Sequence, residues 1–446
     1  GNDFVEELDV CIEGSSGFFL GNANFDQVKT QPTMIVAGAS NAKGESAYYS
    51  TPGSNVWITA PGGDQFIGMM VADLVGCSKG FTTYSSLAFD TKDTTLNPDC
   101  SYFSAITGTS FATPVVSGAI AILREVNPTL SWREIKHILA TTASPIYPHS
   151  TPPTHPADED LEGHDYQQPW ITNVANYSFH PWFGFGLLNL SDAVDYAKNH
   201  RFDLFDLRTT ENIDASWFYE SSTINLDIPD FSSSGQISTL NVDHHQLVIE
   251  HVRVRVHITH PFPGELGLEL KSPSGTTTKL TNINSHMTGE NLEDVFFGAN
   301  AFYGEKSMGE WTLKVVDGAV LDTGTLNNWG IQIIGHKESD PDDTTAPEPV
   351  SNLSFTGNSL TFDASLSDDI LRYELCIFPV SVNNGCLDGD WRPVSPSTQE
   401  LMLSHYSYEG VSLSLESGVT YTSIMRAIDT SENESAYTLE LSWEWP

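Results

Sequence analysis

The stretch from Gly108 to Pro114, which reads Gly-Thr-Ser-Phe-Ala-Thr-Pro, places a serine hydroxyl where it could act as a nucleophile. It precedes an apolar run of helical length at 115–123, so we predict Ser110 at or just before a helix N-terminus, on a turn eased by Gly108. Pro114 is expected in the first helical turn, where its missing N–H is tolerated. The helix dipole there favours negative charge, but a serine needs an external base to react. The alternative is that Ser110 is only an N-cap.

The composition describes a large, acidic chain with enough apolar residues for several cores. Its 446 residues exceed one ordinary core, so we expect two to four domains, and 39% of the residues are hydrophobic. No apolar run approaches the roughly 18 residues that a membrane span needs. The 58 acidic residues against 20 basic ones give a formal charge of -38, which disfavours nucleic acid and favours calcium and basic substrates. An ordinary solvated acidic surface explains most of this charge as well.

Five cysteines bear on the compartment in which the protein works. Cys77 with Cys100, and Cys376 with Cys386, are plausible local disulfides. Cys11 would then be buried or paired with a segment upstream of this sequence. None of the five has the spacing typical of a zinc site. Because disulfides imply an oxidising compartment, we expect a secreted, periplasmic or cell-surface protein.

Residues 1–202, which must position Ser110, alternate short buried strands with helices and predict an α/β fold. The chain starts at Gly1 without an initiator methionine or a signal peptide, so we expect it to be processed or truncated. Ser131, followed three residues later by Glu134, is a capping-box pattern that opens a helix. The predicted elements are strands at 33–39 and 56–62, helices at 115–123, 135–140 and 191–199, and a loop at 144–169.

The rest of the chain switches to the period-two alternation that is typical of β-strands. Residues 223–336 carry this alternation in several blocks and predict a sandwich-like domain. Residues 350–446 alternate again and predict a further all-β domain. A connector at 203–222 and an acidic, Pro-rich linker at 337–349 separate the three parts.

The sequence around Ser110 resembles the nucleophile signature of the subtilisin-like serine proteases, Gly-Thr-Ser-x-Ala-x-Pro. Ala-Pro-Gly at 60–62 and the turn at 49–53 are similar to two further signatures of that family. The segments that look most like its kexin and furin branch, in the bacterial type with a P domain, are 76–80, 130–133 and 183–188.

Blocks beyond the first domain resemble two further modules. Residues 264–276, 309–313 and 324–329 are similar to the P domain that follows the protease domain in kexin-like convertases. Residues 421–429 resemble a late strand of a fibronectin type III domain. The resemblance implies a truncated subtilisin-like α/β domain with a parallel sheet and helices. An all-β jelly-roll or sandwich P domain and a fibronectin type III-like β-sandwich would follow it.

The resemblance also implies a serine endopeptidase in which Ser110 is the nucleophile. Asn2, within the Gly1-Asn2 pair, would donate to the oxyanion, as the corresponding asparagine does in subtilisin. Alternatively, Asn2 is a mobile terminal residue. In this family the catalytic Asp and His precede the serine, so the expected partner is an upstream half of the catalytic domain that supplies both. None of the histidines in this sequence replaces them convincingly.

Kexin-like proteases place acids and calcium near the pocket for the residue before the scissile bond. On that resemblance, Asp9 is a candidate calcium ligand, and Glu13, together with Gly1, would contact a basic side chain of a polypeptide substrate. The alternative is an ordinary acidic loop. The Pro- and His-rich stretch at 148–164 is a weaker candidate for a metal site, because it has no fixed ligand spacing.

A second interpretation places the chain in another class of protein. It would be a non-catalytic binding protein that uses its two β-sandwiches and retains only a remnant of a protease. The complete motif around Ser110 argues against this interpretation. The absence of the catalytic Asp and His argues for it only if Gly1 is the true start of the protein.

Overall fold

The structure is a computed structural model of the chain. It describes all residues except 1, 3–4, 8–17, 65–66, 92–94, 129, 147–160, 167, 200–207, 210–218, 221–223, 244–246, 284, 286, 288, 338–343, 368–369, 382–385, 387–390, 395–398, 406, 409–410, 430 and 432. Four residues of the sequence-based predictions, Gly1, Asp9, Cys11 and Glu13, therefore lie outside the described residues.

The first part of the chain builds a small parallel sheet with helices packed on it. Its elements are β1 Val5–Glu7, β2 Phe18–Leu20, β3 Val36–Ser40, β4 Val56–Pro61, β5 Met69–Ala72, α1 Ala88–Thr91, β6 Tyr102–Ile106, α2 Thr109–Val126, α3 Trp132–Thr141, β7 Ile171–Thr172, β8 Ser178–Phe179 and α4 Leu190–Asn199. Strands β3 and β4 pair in parallel, and β5 and β6 form an antiparallel pair that ends just before α2. The α/β expectation for this part is therefore met by the described elements.

Helix α2 carries the predicted nucleophile, and one detail of its start differs from the prediction. The helix begins at Thr109, directly after Gly108, so Ser110 lies in its first turn as predicted. Pro114, however, is the sixth helical residue and lies in the second turn rather than the first. Because proline has no N–H, the carbonyl of Ser110 loses its usual helical partner four residues later.

Helix α3 starts as the sequence predicted. Ser131 Oγ accepts the N–H of Glu134 at 3.3 Å, and Glu134 Oε2 accepts the N–H of Ser131 at 2.6 Å, which completes a capping box. Its buried residues Ile138 and Leu139 join a core that also contains Trp57 of β4. The helices are thus fixed to the sheet by apolar packing.

The second part of the chain consists of two sheets that share one core. Its strands are β9 Arg208–Thr209, β10 Tyr219–Glu220, β11 Leu226–Ile228, β12 Ser232–Val242, β13 Leu247–Thr259, β14 Leu266–Lys271, β15 Thr277–Thr281, β16 Leu292–Ala299, β17 Gly309–Asp317 and β18 Gly324–Lys337. One sheet is built around β18 and β13, and the other has the order β12-β17-β14-β15. Trp311 of β17 and Trp329 of β18 are fully buried between them.

The last part of the chain forms two main sheets and one small sheet, with a core of its own. Its strands are β19 Ser351–Thr356, β20 Ser359–Asp363, β21 Ile370–Pro379, β22 Arg392–Val394, β23 Glu400–Met402, β24 Ser407–Tyr408, β25 Val411–Ser412, β26 Thr420–Asp429 and β27 Leu441–Glu444. The main sheets have the orders β19-β20-β23 and β22-β21-β26-β27, and β24 pairs with β25 in the small one. A hydrophobic cluster that includes Tyr373, Met425 and Trp443 fills this part.

The two predicted disulfides are present. Cys77 is bonded to Cys100 in the segment between β5 and β6, and Cys376 of β21 is bonded to Cys386. Among the described helices, none is both long and apolar enough to cross a membrane.

The first two parts are joined by a loop of the second part that enters the core of the first. The N–H of Asn300 donates to the carbonyl of Ser54 at 2.9 Å, and Asn173 Nδ2 donates to the carbonyl of Tyr303 at 2.8 Å. The Tyr303 ring lies edge-on to Trp57, with 5.4 Å between the ring centroids. Since Tyr303 belongs to the core cluster of the first part, the two parts share buried surface.

Candidate active site

The turn before α2 presents Ser110 to solvent. Ser110 is exposed, whereas the two residues before it, Gly108 and Thr109, are buried. Gly108 has φ 144° and ψ 154°, a conformation that residues with a Cβ rarely adopt. The glycine therefore allows the chain to enter the helix sharply and leaves the serine hydroxyl accessible beside the helix N-terminus.

Asn2 lies against the same turn. Its Oδ1 accepts two hydrogen bonds from Thr109, one from the backbone N–H at 2.8 Å and one from Oγ1 at 2.7 Å. Its Nδ2 would lie 3.3 Å from a Cβ placed on Gly108. Because both hydrogen bonds fix the oxygen end of the amide, the Nδ2 donor is oriented next to the nucleophile turn. The structure thus brings Asn2 and Ser110, 108 positions apart in the sequence, to the same turn.

A third residue, which the sequence analysis did not assign to the site, holds this turn from another side. The hydroxyl of Tyr49 accepts the N–H of Gly108 at 2.9 Å and lies 2.7 Å from the carbonyl oxygen of Gly62. In the sequence, Tyr49 stands out only as part of the turn at 49–53. Its partners are 13 and 59 positions away, so no local pattern could have revealed the contact.

The described histidines have roles elsewhere in the molecule. His137 contacts the hydroxyls of Tyr303 and Tyr196, at 2.9 and 3.2 Å, and His164 contacts Asn282 Oδ1 at 3.0 Å. Most of the Pro- and His-rich stretch at 148–164 lies outside the described residues. Within the described part of the chain, no histidine hydrogen-bonds to Ser110.

One group of possible metal ligands lies in the second part of the chain. Ligand atoms of His260, Glu265 and Asp317 all lie within 4.8 Å of one another. However, His260 Nδ1 accepts the N–H of Phe262 at 3.0 Å, so the neutral ring carries its proton on Nε2. Nε2 then donates to Asp317 Oδ2 at 3.2 Å and has no lone pair for a cation. The arrangement fits a buried hydrogen-bonded pair better than a metal centre.

Comparison with protein-family models supplies the class. Residues 19–186 match the model of the subtilase family, and residues 249–333 match that of the proprotein convertase P domain. The chain therefore contains a subtilase domain followed by a P domain. Its relatives include kexin- and furin-like proteases, as the resemblance implied.

Two curated relatives and one solved structure illustrate the similarity. The Aeromonas extracellular serine protease of Aeromonas sobria is 30% identical over 364 residues, which cover 71% of this chain and 57% of that protein. Human proprotein convertase subtilisin/kexin type 7 is 27% identical over 341 residues, covering 73% of this chain and 37% of that protein. A crystal structure of the Aeromonas sobria serine protease has 26% identity and a TM-score of 0.61, and the match covers 71% of this chain and 60% of that one. The chain spans about half the length of the curated relatives it matches.

Proposed function

We propose that this chain belongs to a serine endopeptidase in which Ser110 attacks the peptide carbonyl. The observation that carries the proposal is the exposed Ser110 in the first turn of α2, beside an asparagine amide fixed to the adjacent Thr109. The match to the subtilase family supports it independently. In this mechanism the serine oxygen forms the acyl-enzyme bond while the leaving amine departs, and water then releases the acyl group.

The transition state of this reaction carries negative charge on the former carbonyl oxygen. The N–H of Ser110, at the N-terminus of α2, and Nδ2 of Asn2 are the proposed donors to that oxygen. The hydrogen bonds from Thr109 hold Oδ1 of Asn2, so its donor end is preorganised and needs little rearrangement. We propose that the catalytic Asp and His come from an upstream half of the catalytic domain.

The substrate and cofactor are proposals that rest on the resemblance. A polypeptide with a basic residue before the scissile bond fits the formal charge of -38, with Glu13 and Gly1 as the contacts. Calcium is the proposed cofactor and Asp9 its proposed ligand, and all three of these residues lie outside the described residues. The two disulfides support a secreted, periplasmic or cell-surface location.

We propose the same division of the chain as the sequence suggested: a catalytic region at 1–202, a connector at 203–222, a P domain at 223–336, a linker at 337–349 and a final domain at 350–446. The three largest hydrophobic clusters of the described residues lie mainly one in each of the three parts, which supports three domains. The two main sheets of the last region support a fibronectin type III-like sandwich, and the two sheets of the second region support a jelly-roll or sandwich P domain.

The proposal is tested by covalent labelling of Ser110 with a fluorophosphonate probe. The probe is applied to this chain, to a version that is extended upstream, and to the Ser110→Ala variant of each. Ser117→Ala is the matched control, because Ser117 is another exposed serine of α2. We expect labelling of the extended protein only, lost in Ser110→Ala and kept in Ser117→Ala, because the base lies upstream.

Two other outcomes are informative. Labelling of this chain alone, still dependent on Ser110, would support the nucleophile and contradict the upstream base. No labelling of either form, with both shown to be folded, would exclude the protease and favour the binding protein.

A further inference from the structure

The hydroxyl of Tyr49 lies where three segments of the catalytic region meet. Its oxygen lies 2.7 Å from the carbonyl oxygen of Gly62 and 2.9 Å from that of Gly63, both directly after β4. It also accepts the N–H of Gly108 at 2.9 Å, two residues before Ser110. The Tyr49 side chain is buried, so these contacts are shielded from water.

The single proton of the hydroxyl determines which hydrogen bonds Tyr49 donates and which it accepts. A phenol has one hydrogen, so Tyr49 donates to the carbonyl of Gly62 or Gly63 while its lone pair accepts from Gly108. The N–H of Gly108 also lies 3.0 Å from the Gly62 carbonyl, which makes the three groups one network. Burial raises the pKa of Tyr49 to about 12, so the hydroxyl remains a donor at neutral pH.

The surroundings leave little freedom for this network. A Cβ on Gly62 would lie 2.8 Å from the Tyr49 oxygen and 2.7 Å from Cβ of Ala39, so the strand end is closed around the hydroxyl. The next residue, Ser50, accepts the N–H of Ala39 at 3.0 Å through its Oγ, which ties the Tyr49 backbone to β3. The backbone next to Tyr49 is therefore fixed to β3, while the Tyr49 hydroxyl binds the nucleophile turn.

We propose that Tyr49 is a positioning residue for the Ser110 nucleophile, because its hydroxyl fixes Gly108 while Asn2 fixes the next residue, Thr109. Tyr49 acts through Gly108 and contacts neither Ser110 nor the reacting atoms. The proposal rests on the proposed function of Ser110. It extends that function by assigning the geometry of the turn to a side chain outside the expected catalytic set.

The test is Tyr49→Phe in the upstream-extended protein, which removes only the hydroxyl. We expect kcat to fall about tenfold, because a buried hydrogen bond that holds the turn is lost, whereas KM changes less than about twofold. The rate of fluorophosphonate labelling of Ser110 should fall by a similar factor. Each kcat is obtained by dividing the maximal rate by the concentration of labelled sites. A smaller folded fraction therefore cannot imitate the effect.

Tyr48→Phe is the matched control, because Tyr48 is the neighbouring tyrosine and its side chain is 54% exposed. It should leave kcat and the labelling rate unchanged. In Tyr49→Phe, hydrogen exchange should be faster at the Gly108 amide but not at the core amides of α3, whereas a general loss of stability would speed exchange at both. An unlabelled wild-type protein would reject the proposed function. A labelled wild type with unchanged kcat in Tyr49→Phe would overturn the role of Tyr49 alone.

Discussion

Two buried histidines make the same local hydrogen bond within the same sequence pattern, His-Pro-aromatic. His180-Pro-Trp182 and His260-Pro-Phe262 each place an N–H two residues after the histidine, and the Nδ1 of the histidine accepts it, at 3.1 Å and 3.0 Å. Because Nδ1 accepts an N–H in both cases, the proton of each neutral ring lies on Nε2. Nothing in the sequence placed either histidine in the catalytic machinery, and the shared pattern was not recognised there.

This arrangement predicts acid sensitivity for His180. Burial lowers the pKa of His180 to about 4, below its ordinary 6.5, so between these values the unfolded chain binds a proton that the folded protein does not. Stability from this group is therefore complete above pH 6.5 and is lost as the pH falls towards 4, by about 2 kcal/mol between pH 7 and 5. His180→Asn retains an acceptor for the Trp182 N–H and removes the titration.

Urea unfolding of wild type and His180→Asn at pH 7 and pH 5 measures the difference. We expect the variant to lose less stability on acidification, by about 2 kcal/mol. Measurement at pH 8, where both side chains are neutral, provides the reference. Equal losses in the two proteins would contradict the assignment.

At the scale of elements, a distant carboxylate binds the hydroxyl groups of the turn between β14 and β15. Ser272 and Thr276 both donate their hydroxyls to the carboxylate of Glu305, with 2.7 Å between Ser272 Oγ and Glu305 Oε2. The sequence of residues 264–276 resembles a P-domain signature, but it does not show what the two hydroxyls bind. The carboxylate that explains its hydroxyls comes from a loop 29 residues further along the chain.

The capping box of α3 gives a prediction at this scale. Ser131→Ala removes the acceptor for the Glu134 N–H, so we expect the free energy of unfolding to fall by about 1 kcal/mol. Ser117→Ala in α2 is the matched control, because that exposed residue does not cap a helix, and it should change stability by less than about 0.5 kcal/mol. Chemical denaturation of both variants is the measurement, and equal stabilities would rule out a stabilising cap.

At the scale of the whole molecule, a buried ion pair joins the catalytic region to the P domain. Arg133 of α3 donates from Nε to Glu250 Oε2 of β13 at 2.8 Å, and His336 Nδ1 lies 2.7 Å from Glu250 Oε1. Burial opposes the charge of Glu250, but the hydrogen bonds from Arg133 and His336 prevail and lower its pKa to about 2. The junction therefore keeps its carboxylate charged at all ordinary pH values.

Glu250→Gln should destabilise the protein by about 3–5 kcal/mol, because it leaves the Arg133 charge buried without its counter-ion. The double variant Arg133→Met with Glu250→Gln removes both charges and should be less destabilised than the single one. Thermal unfolding of the three proteins is the check. A double variant that is no more stable than Glu250→Gln would contradict the coupling of the pair.

The sequence by itself determined much of this protein. Local rules are sufficient for features that involve residues close together in the sequence. Such features are the motif around Ser110, the capping box at Ser131 and the two disulfide pairs. Periodicity similarly separated the α/β region from the β-rich regions, because one-sided burial imposes a period on the chain. The second-turn position of Pro114 escaped the prediction because helix starts are uncertain by a residue or two in sequence.

Tertiary structure alone decided which distant groups meet. Tyr49 reaches Gly108 across 59 positions, and Glu250 reaches Arg133 across 117. These contacts depend on how whole elements pack, and no period or motif in the chain encodes them. A polar group that is buried by such packing needs a hydrogen-bond partner, and only the fold decides which groups are near enough. This explains the contacts of Tyr49 and Glu250.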